Sequence, residues 1–198
     1  VSVALVMVDI CSGLGGASES MLQNGWTVHR VDNNPDLAHI DRTSLCDIMA
    51  IRPHWLCSKR PIDLFWASVP CLEFSTGYSA PGPKAARAGE DFEPDLSLLK
   101  KAIEIRDNLH AKWYVFENVV GAIKHFTPLL GEPARIVGPF VLWTNLPTLD
   151  IPYSFEHLKK DQDTWSDDPM RSNKLAKIPY EISDAVRIAA ECPTLEDF

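Results

Sequence analysis

Long apolar runs are missing from this sequence. None approaches the ~18 to 20 residues needed to cross a bilayer, so no membrane-spanning helix is expected. Val1 to Val8 is apolar but short, and Asp9 ends it. With no basic flank and no small-residue cleavage site, it reads as a buried strand rather than a signal peptide. The chain opens without Met, which suggests a processed or trimmed start. A basic excess is missing too. The 19 Lys and Arg face 27 Asp and Glu, for a formal net charge of -8. That argues against broad electrostatic capture of nucleic acid, while leaving room for a local basic groove. Paired cysteines are absent. Cys11, Cys46, Cys57, Cys71 and Cys192 are odd in number and form no C-x-x-C, so zinc and a disulfide framework are both poor readings. Free thiols in a reducing, intracellular setting suit them better. The six His are scattered without metal-ligand spacing, and no metal is expected.

What is present is ordinary globular material. The 198 residues suffice for one domain with a proper core, and 45% of them are hydrophobic against 23% charged. Val3 to Asp9 is a β-branched strand candidate. Gly13, Gly15 and Gly16 follow, then a helix candidate from Ala17 to Asn24 with Gly25 at its C-terminal cap, then a second strand from Trp26 to Val31. This unit is the opening of a nucleotide-type α/β fold. Ile62 to Ser68 is a third strand and Trp113 to Glu117 a fourth. Between them, Thr76 to Pro94 is rich in Gly, Pro and Ala, lacks periodicity, and reads as a functional or disordered loop. Pro94 then opens a helix to about His110, with Leu96, Leu99, Ile103 and Arg106 at helical spacing.

Arg135 to Trp143 reads as a hairpin broken by Gly138 and Pro139, Pro152 to Ser172 as an irregular loop, and Pro179 as the start of a last helix. Trp55, Trp66, Trp113 and Trp143 lie in or beside apolar stretches and are expected to pack in the core. Strands alternating with helices imply a Rossmann-like α/β fold, a mostly parallel sheet with helices on both faces.

Three motifs carry candidate chemistry. The first is Asp9-Ile10-Cys11-Ser12-Gly13-Leu14-Gly15-Gly16. Glycines between a strand and a helix let a ligand approach the backbone, and a helix N-terminus favours an anion. Asp32 ends the second strand, where an acid can bind ribose hydroxyls. A tight turn holding nothing is the alternative. The second motif is Ser68-Val69-Pro70-Cys71-Leu72-Glu73-Phe74-Ser75, just past a strand's carboxyl end, where Cys71 is a nucleophile or an inert buried thiol. The third is Phe116-Glu117-Asn118-Val119, whose Glu117 either points into the same crevice or is a solvated strand-end acid.

In this order the three motifs resemble the DNA (cytosine-5) methyltransferases, whose pattern is D-x-F-x-G-x-G-G, then P-C-x-x-F-S, then E-N-V. Asp9, Gly13, Gly15 and Gly16 match the first, Pro70, Cys71, Phe74 and Ser75 the second, and Glu117, Asn118 and Val119 the third. Asp47 fits the family's acid that contacts the adenine amino group, and Lys174 to Ser183 looks like the C-terminal segment of short, phage-type members. The resemblance covers most of the chain. Cys11 stands where the family has the Phe that stacks on adenine. The Q-x-R-x-R motif is replaced at best by Arg135, and too few residues separate Phe140 from Lys174 for the large target-recognition domain.

The resemblance implies an enzyme that uses S-adenosylmethionine to methylate carbon 5 of cytosine in DNA. Cys71 would be the nucleophile and Glu117 its partner carboxylate, with Pro70, Asn118 and Arg135 in the catalytic set. Asp9, Cys11, Gly13, Gly15, Gly16, Asp32 and Asp47 would hold the cofactor. Residues 76–94 would form a mobile catalytic loop, with Ser75, Lys84 and Arg87 facing the nucleic acid; the last two are equally well read as solvated loop cations. The target base would be flipped or unpaired. The implied setting is the cytoplasm of a prokaryotic or virus-infected cell. Two other readings stand beside this one. The substrate could be RNA, single-stranded DNA or a free nucleotide, which relaxes the need for a recognition domain. Or the chain is a cofactor-binding module, or a subunit needing a protein partner that supplies specificity.

Overall fold

The computed structural model describes residues 4–52, 61–152, 155 and 168–192. Seven strands form one sheet: β1 (Val6–Ile10), β2 (Thr27–Asp32), β3 (Thr43–Leu45), β4 (Leu64–Ala67), β5 (Trp113–Val119), β6 (Arg135–Val137) and β7 (Phe140–Thr144). Their spatial order is β3-β2-β1-β4-β5-β7-β6. β1 to β5 pair in parallel, whereas β7 runs antiparallel to both β5 and β6. This is a Rossmann-like fold, a parallel doubly wound sheet closed at one edge by an antiparallel hairpin. The hairpin turns at Gly138, whose φ of 57° suits a residue without a Cβ. The order reverses between β1 and β4, and that switch point opens a crevice at the strands' carboxyl ends.

The alternation of side chains along each strand assigns the two faces. Val6, Val8 and Ile10 of β1, with Phe65, Ala67, Phe116, Val141 and Trp143, pack on one face. There they meet Leu99, Ala102, Ile105 and Leu109 of the helix α3 (Ser97–Leu109) and Phe126 of α4 (Ile123–Leu130). Met7, Val28, Leu64, Trp66, Val115 and Leu142 face the other way. They are covered by α1 (Glu19–Gln23) and by Ile182, Ala185, Val186 and Ala189 of the last helix, α6 (Tyr180–Glu191). Both faces are covered, which is why β4 reads as an unbroken apolar run and β1 is interrupted only by Asp9. Each fully buried side chain of this size contributes about 1.5–3 kcal/mol. Trp66 and Trp143 are among the largest buried side chains and Trp113 is half-buried, while Trp55 lies outside the described residues.

Three elements differ from expectation. The segment 76–94 holds a regular helix, α2 (Pro81–Ala88), although no residue of it is buried. Its two prolines sit in the first turn, where no N–H donor is required, and alanine is the best helix former, so a Gly/Pro/Ala composition conceals a helix. Gly89, at φ 72°, ends it. The first helix is shorter than Ala17–Asn24 and spans only Glu19–Gln23, which leaves little helix dipole for an anion. The helix after Pro94 begins at Ser97, because the Asp95 carboxylate takes the N–H and hydroxyl of Ser97 ahead of it. Most of the loop expected over Pro152 to Ser172 lies outside the described residues; Arg171–Ala176 is a short helix, α5.

Candidate active site

Strand register sets the site. Ile10, Ala67 and Phe116 are neighbours across β1, β4 and β5, and Ile10 pairs with Val31 of β2. One residue further along each strand, Asp32, Cys11, Ser68 and Glu117 therefore form a row across the carboxyl ends, spaced roughly 4.8 Å per strand.

At one end of the row, Asp32 accepts hydrogen bonds from the N–H of Gly13 at 2.9 Å and of Asn34 at 3.0 Å. Gly13 has a φ of 53° and open space where a Cβ would stand, with only the Asn173 amide 3.9 Å away. Gly15 and Gly16 are glycine for a different reason. A Cβ on Gly15 would sit 2.5 Å from the Arg30 guanidinium carbon, and one on Gly16 would collide with the Ile178 carbonyl oxygen. The close backbone approach expected there is made by the protein's own groups. Cys11 is a non-glycine residue at φ 53°, and its thiol is pushed up to about 12, mainly by burial and further by Asp32, Asp9 and Asp47. The three acids expected around a cofactor thus all bear on Cys11. Asp47 is exposed and caps a 3-10 turn by accepting the Met49 N–H at 2.9 Å. Asp9 is fully buried, and burial raises its pKa to about 7 although Ser18 hydrogen-bonds it and Arg30 lies close. Its Oδ1 and the Ser12 hydroxyl are buried without a protein partner, so polar valence stands ready beside the glycine turn for a ligand's donors.

At the other end stand the thiol and the carboxylate. Glu117 is 9% exposed, and burial raises its pKa to about 7 against the opposing hydrogen bond from Ser68. Trp66 Nε1 donates to the Ser68 hydroxyl at 2.9 Å, holding that group in place. Cys71 is half-buried; burial first, and the Glu117 charge second, push its thiol up. The two side chains therefore share one electrostatic environment. The loop between them is pinned on the far side of β5, where Asn118 Nδ2 donates to the Val69 carbonyl at 2.9 Å. The Cys71 carbonyl accepts from Phe74 N–H at 3.0 Å, and Gly121 packs so tightly under the Phe74 carbonyl that a Cβ there would collide with it. Pro70 is exposed at the crevice rim. Beside the loop, a cavity of about 180 Å³ is walled by Val69, Pro70, Leu72, Phe74, Leu98 and Leu99, with Glu73 and Asp95 at its edge.

The remaining expected residues are less engaged. Ser75 is half-buried and accepts the Gly77 N–H at 3.2 Å. Lys84 and Arg87 lie exposed on α2; Arg87 stacks over the Tyr78 ring, 3.7 Å from its centroid, and donates to the Tyr78 carbonyl at 2.7 Å. Arg135 is exposed on the edge strand β6. It lies level with Glu117 and on the same face, but Leu142 of β7 stands between them, roughly 10 Å of sheet in all. The structure does not bring Arg135 alongside the pair. Sequence reasoning missed Ser18 and Arg30, and it placed Ser68 in the second motif without giving it a role. Only Arg30 carried a signal, a charge inside an otherwise apolar strand.

Among the described residues, no group of three or more His, Cys, Asp or Glu is gathered to hold a metal ion, and no helix is long and apolar enough to cross a membrane. No family model and no curated protein matches the sequence. Among solved structures, the chain is similar to one assigned as a DNA modification methyltransferase encoded within a prophage of E. coli. That match has 18% identity over 75% of this chain and 49% of that one, with a TM-score of 0.48. It is also similar to an S-adenosylmethionine-dependent methyltransferase from Clostridium acetobutylicum, with 16% identity over 65% and 47% of the two chains and a TM-score of 0.39. A third is assigned as a methyltransferase from an antibiotic biosynthesis pathway of Anabaena variabilis, with 12% identity over 60% and 40% and a TM-score of 0.36. The chain spans about half the length of these structures or less.

Proposed function

We propose that this chain is an S-adenosylmethionine-dependent DNA (cytosine-5) methyltransferase acting through a covalent adduct at Cys71. What supports the reading is the strand register, which sets Glu117 and the loop bearing Cys71 at the carboxyl ends of the parallel neighbours β5 and β4, in a row that continues to Cys11 and Asp32. The cofactor fits the residues present. Unsatisfied Asp9 Oδ1 and Ser12 Oγ, and the open cradle at Gly13, suit the methionine end. Asp32, at the end of β2, suits the ribose hydroxyls. When bound, S-adenosylmethionine supplies an electrophilic methyl group for carbon 5 of the base.

The protein's task is to make that carbon nucleophilic. Cys71 gives its proton to water, and the thiolate adds to carbon 6 of cytosine, splitting one difficult step into easier ones. The ring electrons shift toward nitrogen 3, which takes a proton from the Glu117 carboxyl. A pKa near 7 keeps about half of that carboxyl protonated at neutrality. After methylation the carbon-5 proton leaves to a base; Cys71 then departs as the thiolate, restoring the double bond, and nitrogen 3 returns its proton to the Glu117 carboxylate.

The test is mass spectrometry after incubation with S-adenosylmethionine and an oligonucleotide containing 5-fluorocytosine. A covalent complex at Cys71 that is lost in Cys71→Ala is expected; no complex with duplex or single-stranded oligonucleotides counts against the reading. The acidic balance favours a second, related reading. Along residues 73–95, Glu73, Glu90, Asp91, Glu93 and Asp95 stand against Lys84 and Arg87, and the whole chain carries -8. Such a surface suits single-stranded DNA, RNA or a free cytosine nucleotide better than an unaided grip on duplex. Methyl transfer to duplex DNA, single strands, tRNA and dCMP side by side separates these substrates.

A further inference from the structure

Arg30 is the one buried cation of the described core, 5% exposed, on the face of the sheet covered by α1 and α6. It stands directly across the ladder from Asp9, yet it makes no direct bond to that carboxylate. Its Nε donates to the Ser18 hydroxyl at 2.8 Å, and Ser18 in turn donates to Asp9 Oδ2 at 2.6 Å. Nη2 donates to the Gly15 carbonyl at 3.0 Å and Nη1 to the Asp41 carbonyl at 3.0 Å. Burying a guanidinium is costly, and a packed aliphatic side chain would serve the fold at least as well. The arrangement instead joins three segments that surround one pocket: the glycine turn, the buried Asp9, and the turn that leads through β3 to Asp47. The fit leaves no slack, since Gly15 has no room for a Cβ against the guanidinium.

We propose that Arg30 is a positioning residue of the cofactor pocket, locking the glycine turn through the Gly15 carbonyl and aiming Asp9 through Ser18. This rests on the cofactor reading above. A flat, five-donor guanidinium can hold three acceptors in fixed directions, which an ammonium cannot. With it in place, the Gly13 cradle and the unpartnered Asp9 Oδ1 keep their mutual geometry before any ligand arrives.

The test is calorimetric titration with S-adenosylhomocysteine, with thermal melts on the same samples. Arg30→Met keeps the bulk and removes every donor; Ser18→Ala is the milder variant, cutting the bridge to Asp9 and a long contact to the Gly15 carbonyl at 3.5 Å while leaving both Arg30 Nη bonds. Arg187→Met is the control: it breaks the Arg187–Asp184 and Arg187–Glu191 pairs on α6 and the bond from its Nε to the Ser20 hydroxyl of α1 at 3.0 Å, lowering stability while leaving every bond to Gly15, Ser18 and Asp9 in place. The expected result is a Kd raised about tenfold or more in Arg30→Met and by a smaller factor in Ser18→Ala, with wild-type Kd in Arg187→Met, all measured well below each melting point. Should Arg30→Met fail to fold, Ser18→Ala decides alone. Wild-type affinity in the Arg30 and Ser18 variants overturns the inference and leaves the cofactor reading standing, as does an equal loss in Arg187→Met. No binding by the wild-type protein overturns the cofactor reading itself, and the inference with it.

Discussion

The Glu117 carboxylate raises the pKa of the Cys71 thiol, although 46 positions separate them in the chain. The coupling follows from the sheet. β4 and β5 are parallel neighbours, so the loop that follows one and the last buried residues of the other open into the same crevice. Burial keeps the proton on Glu117, and burial together with the Glu117 charge keeps it on the Cys71 thiol.

Removing the sulfur should separate chemistry from binding. Cys71→Ala is expected to abolish methyl transfer while S-adenosylhomocysteine affinity by calorimetry stays within about twofold, because no described cofactor-side bond involves the thiol. Full turnover by this variant on any cytosine substrate ends the covalent mechanism.

Glu117 links activity to pH and to stability with opposite signs. Its folded pKa, about 7, lies above its ordinary value of 4.5, so the folded state binds the extra proton between those pH values. Its contribution to stability is therefore fully present below about 4.5 and lost as pH rises through 7. Glu117→Gln removes this penalty. Its melting temperature should overtake wild type as pH goes from 5 to 8, by an amount equivalent to about 1–3 kcal/mol. The same variant should lose about 100-fold or more in kcat, since an amide cannot deliver the proton. Wild-type kcat should rise with pH up to about 7 and level off above it, because there the gain in Cys71 thiolate is cancelled by the loss of the Glu117 proton. A variant that is both less active and no more stable at pH 8 would contradict the assignment.

Asp32 holds the glycine turn by accepting the Gly13 N–H, and it is the proposed ribose ligand. Asp32→Ala should weaken S-adenosylmethionine binding about tenfold or more, and Asp47→Ala, an exposed cap, by less. Unchanged affinity of Asp32→Ala by calorimetry would count against the ribose role.

Gly121 tests the loop's support. Adding one methyl group as Gly121→Ala drives a carbon into the Phe74 carbonyl, so the Cys71 loop or the end of β5 must shift. A loss of about 1–3 kcal/mol in denaturant melts is expected, with kcat reduced even where the variant is folded. Wild-type stability together with wild-type kcat would show that the loop tolerates the displacement.

The strand, glycine turn, helix and strand at the start were legible in sequence, as was the hairpin at Gly138 and Pro139, because periodicity and turn residues are local signals. Cys71 and Glu117 were legible as residues that follow or end buried strands. The helix α2 was not, because Gly and Pro in its first turn look like breakers until the chain is seen to spend them where no donor is needed. The spacing of Arg135 from Glu117 was hidden as well, since β7 enters the sheet between β5 and β6 out of chain order.

By itself, then, the sequence determined which segments are strands, where glycine must stand, and which side chains carry a thiol or a carboxylate. Those properties depend on neighbours a few residues away. Only the tertiary structure decided that Asp32, Cys11, Ser68 and Glu117 form one row, that Arg30 sits beneath Gly15, and that Asp9 and Glu117 are buried deeply enough to hold protons near neutrality. Those outcomes depend on strand order and burial, which the folded sheet sets by bringing distant segments together.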